Sequence, residues 1–329
     1  KKQTPFVSGQ GIDRFYPEDV KRRLAELSEK ARTIERSRVS APTFAMIAQD
    51  AAKAADLRVH IRGDHKNLGE RVSRRMPLIL AGEQQSPVDG KQSGRLQLAR
   101  WLASSTHPLT ARVFVNRVWH WHFGAGLVRT PDNFGKLGEP PSHPELLDWL
   151  ASRLIEDNWS IKKLHRRILL SATYSQSSEM RRRPFAVDSG NRLLWRMNRR
   201  RLEAESLRDA MLASSGTLDC QLYGTVNRWK PKDFSVNDRN EQTANYETNR
   251  RSLYLPVVRT AIYPMLQLFD FGDPNSVTAR RTVTTVAPQA LFMMNNPFVL
   301  EQAERFAERL AALPASKQED RIRTAYQMC

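Results

Sequence analysis

Arg112, Asn116 and His120 recur at i, i+4 and i+8 where apolar spacing predicts a helix over residues 109–123, so they form a polar stripe along it. Val115, Trp119 and His122 form the neighbouring face. A guanidinium, an amide and an imidazole on one helix can orient a polar substrate and move a proton. Arg112, Asn116 and His122 are therefore the candidate catalytic residues. The competing account is structural, with Asn116 and His122 satisfying buried backbone groups while the tryptophans fill the core. His120 and His122 stand about 200° apart around a helix and cannot share a metal ion. His107, His143 and His165 lie near helix ends, two of them in His-Pro pairs where capping is a sufficient role. Zinc would need three or four converging ligands, and no His-Glu-x-x-His gathers them.

A second constellation is basic. Arg181-Arg182-Arg183, Arg192, Arg196 and Arg199-Arg200-Arg201 concentrate charge around Trp195, and on a helix Arg192, Arg196 and Arg199 line one side. Arg192, Trp195, Arg196, Arg199 and Arg200 are the candidate binding residues for phosphate, sulfate or carboxylate, beside an aromatic ring. The alternative is a solvated face paired with Glu203, Glu205 and Asp209. Two loops are rich in oxygen ligands. Asp132-Asn133 with Gly135, Gly138 and Glu139 is one, and Asp270 to Ser276, including Asp273, is the other. Calcium suits such carboxylates and carbonyls, so Asp132, Asp270 and Asp273 are candidate metal ligands, although turn Asp and Asn usually bond their own backbone. Gly-x-Ser-x-Gly, Gly-x-x-x-x-Gly-Lys and Gly-x-Gly-x-x-Gly are all absent, so no enzyme class follows.

The elements that must position these residues are mostly helical. Apolar periodicity predicts helices over 18–36, 95–103, 109–123, 161–171, 203–214, 288–295 and from 297 onward. Ser142-His143-Pro144-Glu145 reads as a capping box leading a stripe of Leu146, Leu147, Leu150 and Leu154. Residues 57–62 alternate as a half-buried strand, with 44–47 as its partner, and 252–258 read as a strand that Pro256 places near an edge. Residues 228–249 read as a long surface loop. The expected class is α+β, predominantly α-helical, with a few short strands. The polar stretch 82–94 is the best boundary, dividing an N-terminal helix and small β element (1–90) from a helix-rich domain (91–329).

The 329 residues carry 52 Lys and Arg against 35 Asp and Glu, a net charge of +17. Such a surplus draws polyanions: nucleic acid, anionic lipid headgroups, or acidic or sulfated polysaccharide. Two cysteines, Cys220 and Cys329, exclude a disulfide framework and a multi-cysteine zinc site, and without Cys-x-x-Cys-His no c-type haem is expected within this segment. No apolar run is long enough to span a membrane. The chain opens at Lys1 without methionine and closes within a helical pattern, so it reads as a piece of a longer protein truncated at its C-terminus.

Several blocks then fall into one pattern. They include Leu98-Ala99-Arg100-Trp101-Leu102, Pro108-Leu109-Thr110-Ala111-Arg112, Asn116-Arg117-Val118-Trp119, Thr130-Pro131-Asp132-Asn133-Phe134-Gly135 and His143-Pro144-Glu145-Leu146-Leu147-Asp148-Trp149-Leu150. Arg199-Arg200-Arg201-Leu202-Glu203-Ala204-Glu205, Arg251-Ser252-Leu253-Tyr254-Leu255-Pro256 and Pro288-Gln289-Ala290-Leu291 follow. From about residue 61 to the end the chain resembles the planctomycete surface-protein domain, a family of unknown function. The resemblance implies an exported protein, periplasmic or at the cell surface, with a cytochrome c domain and its haem elsewhere in the parent chain. The family usually shows Gln-His-His before Phe-Gly. This chain has His120-Trp121-His122 there, so a role carries over only to His122. The expectation is an accessory module binding an anionic polysaccharide, another polyanion or the parent's cytochrome domain. The alternatives are an enzyme acting on a polysaccharide or a small organic substrate, coupled to the haem domain, and, last, nucleic-acid binding, which an exported protein rarely performs.

Overall fold

The computed structural model describes residues 16–37, 47–50, 53–224, 226, 246–259, 262–314 and 318–329. Among them the chain is predominantly helical, with one two-stranded sheet. It divides into two compact units, 1–74 with 88–93, and 75–87 with 94–329.

The first unit holds helix α1 (Glu18–Ser37) and an antiparallel hairpin of β1 (Leu57–His60) and β2 (Leu68–Val72). The partner of β1 is thus 68–72; of the expected partner 44–47, residues 44–46 lie outside the described residues. Alternation buries no face of β1, whose four residues are all exposed. Arg74 closes the unit by donating from its backbone N–H and from Nε (2.8 Å) to Asp56 Oδ1.

The second unit runs α2 (Leu78–Ala81), α3 (Arg95–Leu102), α4 (Thr110–Phe123), α5 (Pro144–Glu156), α6 (Ile161–Leu169), α7 (Arg182–Val187) and α8 (Ala204–Ser215). It continues with α9 (Pro264–Leu268), α10 (Ala287–Asn295), α11 (Pro297–Ala311) and α12 (Gln318–Met328). The first core packs Val115, Trp119 and Phe123 of α4 on Leu147, Leu150 and Leu154 of α5 and Leu164 and Ile168 of α6. Each such side chain contributes about 1.5–3 kcal/mol when fully buried, so these helices are held by packing more than by propensity. Leu169, expected inside, is exposed, because α6 ends there. Gly124, left-handed at φ 80°, stops α4.

Asn116 is fully buried in this core and brackets the backbone of Val128: Nδ2 donates to its carbonyl (2.9 Å) and Oδ1 accepts from its N–H (2.8 Å). That bracket explains Gly126, where a Cβ would come within 2.5 Å of the Val128 carbonyl oxygen and 2.6 Å of Asn116. At the start of α4, His107 Nδ1 accepts from the Leu109 and Thr110 N–H groups, so it does cap the helix. The expected capping box of α5 does not form. Pro144 opens the helix one residue later than the motif requires, and the Ser142 hydroxyl pairs with His143 Nδ1 instead (2.9 Å). His165 stands in the middle of α6 rather than at an end.

The second core gathers Ala204, Leu255, Met265, Leu266 and Phe269. No strand forms at 252–258. Ser252 gives both its N–H (2.8 Å) and its hydroxyl (2.6 Å) to Asp209 Oδ1, and the N–H groups of Tyr254 and Leu255 close back onto Arg251 and Ser252. The segment is a single 3-10 turn, and Pro256 has no N–H to offer a neighbouring strand. Of the loop expected over 228–249, residues 228–245 lie outside the described residues.

Residues 269–284 form a strap leading from α9 towards α10. Arg201 donates to Asp270 Oδ2 (2.5 Å), the Phe269 carbonyl (3.2 Å) and Gln289 Oε1 (3.0 Å). Asp270, left-handed at φ 63°, also accepts from the Thr284 N–H (2.9 Å) and hydroxyl (2.8 Å). Arg281 reaches both oxygens of Glu205 (2.7 and 2.8 Å) and Oε2 of Glu203 (3.1 Å). Burial pushes the Asp270 carboxyl up, but the Thr284 N–H, the Arg201 guanidinium and the Thr284 hydroxyl outweigh it and hold the group below its ordinary value of 3.8.

Two variants test these ties. Asn116→Ala leaves the Val128 N–H and C=O unpaired in a dry core, and the expected loss is about 2–4 kcal/mol, read from the denaturant midpoint. A lowered Asp270 pKa contributes stability that is complete above the ordinary carboxylate range and disappears as pH falls through the folded value. The stability gap between the parent and Asp270→Asn should therefore be constant above about pH 5 and close below about pH 4; a gap that widens in acid contradicts this account.

Candidate functional site

Between the C-terminal turn of α4, the extended segment 200–203 and the strap lies a cleft of about 510 Å³. His120 and Trp121 line one wall, Arg200 and Glu203 the floor segment, and Asp270 and Arg280 the strap side. The sequence builds it simply. Gly124 ends α4 just beyond His120 and Trp121, and the strap is held across by Arg201 and Arg281.

The cleft holds two Arg-Arg pairs with the same division of labour. Arg201 and Arg281 are committed to carboxylates, whereas Arg200 and Arg280 have no hydrogen-bond or ion-pair partner among the described residues. Four arginines against Glu203 and Asp270 leave the lining positive. His120 responds to that field: burial, then the charges of Arg280 and Arg200, push its imidazole below the ordinary 6.5, so it is neutral at pH 7. Glu203 moves the other way. Burial raises its carboxyl, and Arg281 opposes the rise without cancelling it. Trp121 exposes 46% of its surface beside His120.

The three candidate catalytic residues do not line one cleft. Asn116 is spent on Val128. Arg112 donates from Nε to Asp148 (2.6 Å) and from Nη1 to the Pro108 carbonyl (2.6 Å), bordering a different concavity with Phe134 and Pro141. His122 Nε2 faces His165 Nδ1 at 2.7 Å. Their ring centres are 5.0 Å apart, which is the N–N distance plus one ring radius at each end, so one N–H donates straight at the other nitrogen. Burial, then His165 and Arg200, lower the His122 pKa.

The basic face is rearranged. Residues 188–203 are not helical, so no stripe of Arg192, Arg196 and Arg199 exists. Asp188 accepts the N–H groups of Arg192 and Leu193, and Asn191 and Leu194 are left-handed at φ 49° and 55°, which turns the chain before a helix can close. The Trp195 ring instead carries Arg196 at 5.1 Å and Arg181 at 5.7 Å, while Arg192 reaches Glu139. Arg199 is exposed, and of the five candidate binding residues Arg200 alone lines the cleft. Glu203 and Glu205, expected partners of that face, belong to Arg281, and Asp209 to Ser252 and Arg208.

The oxygen-rich loops use their ligands on themselves. Asn133 Oδ1 accepts from the Gly135 N–H and Asp273 from the Asn275 N–H and Ser276 hydroxyl, while Asp132 is exposed. Among the described residues no three His, Cys, Asp or Glu side chains converge as a metal site. Cys220 and Cys329 are free and exposed. No described helix is long and apolar enough to cross a membrane.

Sequence reasoning placed His120 on the polar stripe and missed that it shares a cleft with Arg280. The available signal was the repeat of Arg-Arg at 200–201 and 280–281, each ahead of a segment that must bridge two helices.

No curated protein and no solved structure matches the chain. Residues 94–329 match the PSD1 family, described as a protein of unknown function (DUF1553), the planctomycete-associated domain that the sequence blocks indicated. With more than two thirds of its length matched, the chain belongs to this family of unknown function.

Proposed function

We propose that the cleft binds anionic groups presented by a polymer, an acidic or sulfated polysaccharide, and that the chain serves as an accessory binding module of an exported, cytochrome-associated envelope protein. The observation that carries this reading is the pair Arg200 and Arg280, two guanidinium groups on one concavity with no partner among the described residues. Each can grip a carboxylate or sulfate in bidentate fashion. The lowered basicity of His120 is a second sign of the same positive field. Trp121 offers a flat apolar face beside it, suited to the CH-bearing face of a sugar ring. A nucleic acid would be drawn by the same charge, but a single exposed ring is a poor platform for successive bases.

Titration calorimetry with dextran sulfate, polygalacturonate and neutral dextran tests the proposal. The anionic polymers should bind and the neutral one should not, and affinity should fall as salt rises through the physiological range. Arg200→Ala with Arg280→Ala should weaken binding at least about tenfold, roughly 1.4 kcal/mol. Arg192→Ala with Arg199→Ala, away from the cleft, should leave it within about twofold. If the second pair carries the loss instead, the site is the outer arginine face and the cleft reading is wrong.

A further inference from the structure

Resting on that reading of the cleft, we infer that its ligand is a uronate-containing polysaccharide and that the cleft breaks the chain by β-elimination, with His120 as the base.

Elimination from a uronate needs three things in one place. The carboxylate must be neutralised so that the proton on the adjacent carbon can leave, an unprotonated base must stand beside it, and the departing glycosidic oxygen must receive a proton. Arg200 and Arg280 supply the first, being the two cleft arginines with no partner of their own among the described residues. His120 supplies the second: it lines the same cleft, and with burial and the charges of Arg280 and Arg200 lowering its pKa it is the cleft side chain that is both basic and uncharged at neutral pH. Glu203 supplies the third: it lines the same cleft, and burial keeps its carboxyl more readily protonated than an ordinary one. Arg201, Arg281 and Asp270 complete the charged groups that face His120 across the cleft.

The step balances without any co-reactant. The C–H bond next to the carboxylate breaks and its proton passes to the imidazole nitrogen of His120. The electron pair becomes a carbon–carbon double bond conjugated with the carboxylate. The C–O bond to the next sugar breaks, and its oxygen takes the Glu203 proton. After release, the His120 proton returns through water to Glu203.

The alternative of hydrolysis is disfavoured by the same residues. A glycosidase sets two working carboxylates across the bond. Here both oxygens of Asp270 are committed to Arg201 and Thr284, and Glu203 gives one oxygen to Arg281, so no second working carboxylate stands in the cleft. A sulfate ester gripped by the arginines would present no comparably acidic proton to His120.

The full chain is incubated with polygalacturonate, alginate and chondroitin sulfate, with and without calcium ions. Ultraviolet absorbance follows the conjugated product, and calorimetry reports binding of each polymer in parallel. The expected result is a rising conjugated chromophore with at least one polymer that binds. In His120→Asn the rate should fall about a hundredfold or more while binding stays within a few-fold. Glu203→Gln should slow the reaction and remove the alkaline limb of its pH profile. Binding without chromophore overturns the inference and leaves the binding reading standing, as does new reducing ends without chromophore, which marks hydrolysis. An unchanged rate in His120→Asn also overturns it. No binding to any of the three uronates overturns the inference; the binding reading falls with it only where dextran sulfate also fails to bind.

Discussion

The cleft depends on one interaction, the grip of Arg201 on the Asp270 carboxylate. Residues 196–203 and 269–284 contain no regular element, so nothing in helix geometry fixes their distance. Arg201 reaches Asp270, the Phe269 carbonyl and Gln289 at the start of α10 at once. Asp270 in turn takes the N–H and hydroxyl of Thr284, so one carboxylate spans both ends of the strap. Three donors on a side chain only 12% exposed make these charge-assisted bonds strong and costly to lose singly. Without this grip the strap that carries Arg280 is held only at Arg281, by Glu205 and Glu203.

Much of the architecture was legible because it follows from local rules. The helices 109–123 and 203–214 end at Gly124 and Gly216, both left-handed at φ 80°, where the sequence punctuates them. The stripe of Leu147, Leu150 and Leu154 is buried as its period requires. What failed were features decided by distant partners. Residues 252–258 read as a strand, yet Asp209 of α8 captured Ser252 and the backbone closes into a turn. A stripe of Arg192, Arg196 and Arg199 would have needed a helix, yet Asp188 and Asn191 offered the chain local hydrogen bonds that turn it. Little of the candidate site was legible for the same reason. Arg200 was named as a binding residue, whereas His120 stood on the polar stripe and His122 was named in its place; what joins their segments to the strap is Arg201 on Asp270, 69 residues apart in the chain.

Two histidines two residues apart on α4 have been put to different ends by their surroundings. His122 meets another imidazole, and each ring's proton is shared or contested with its partner. His120 meets no acceptor among the described residues and sits instead in the field of two guanidinium groups. Desolvation and like charge act in the same direction on an imidazole, so the second arrangement keeps a base uncharged where a solvent-exposed histidine would be partly protonated. Glu203, which lines the same cleft, feels desolvation as a rise, so burial moves the acid and the base in opposite directions.

The net charge of +17 is a weaker guide to ligands than it looks, because arginine here does much of the work of regular secondary structure. Arg129 donates to the Gly190 carbonyl, Arg181 to Trp195, Arg250 to Gln221 and Tyr223, and Arg309 to the last carbonyls of α8. Arg208, 1% exposed, ties the carbonyls of Thr248 and Arg250 to α8. Long irregular segments leave carbonyls without ladder partners, and a five-donor side chain satisfies several of them at once. A chain built this way is basic for structural reasons before any ligand is considered. The informative arginines are therefore the few that the backbone has left unused, and within the cleft those are Arg200 and Arg280.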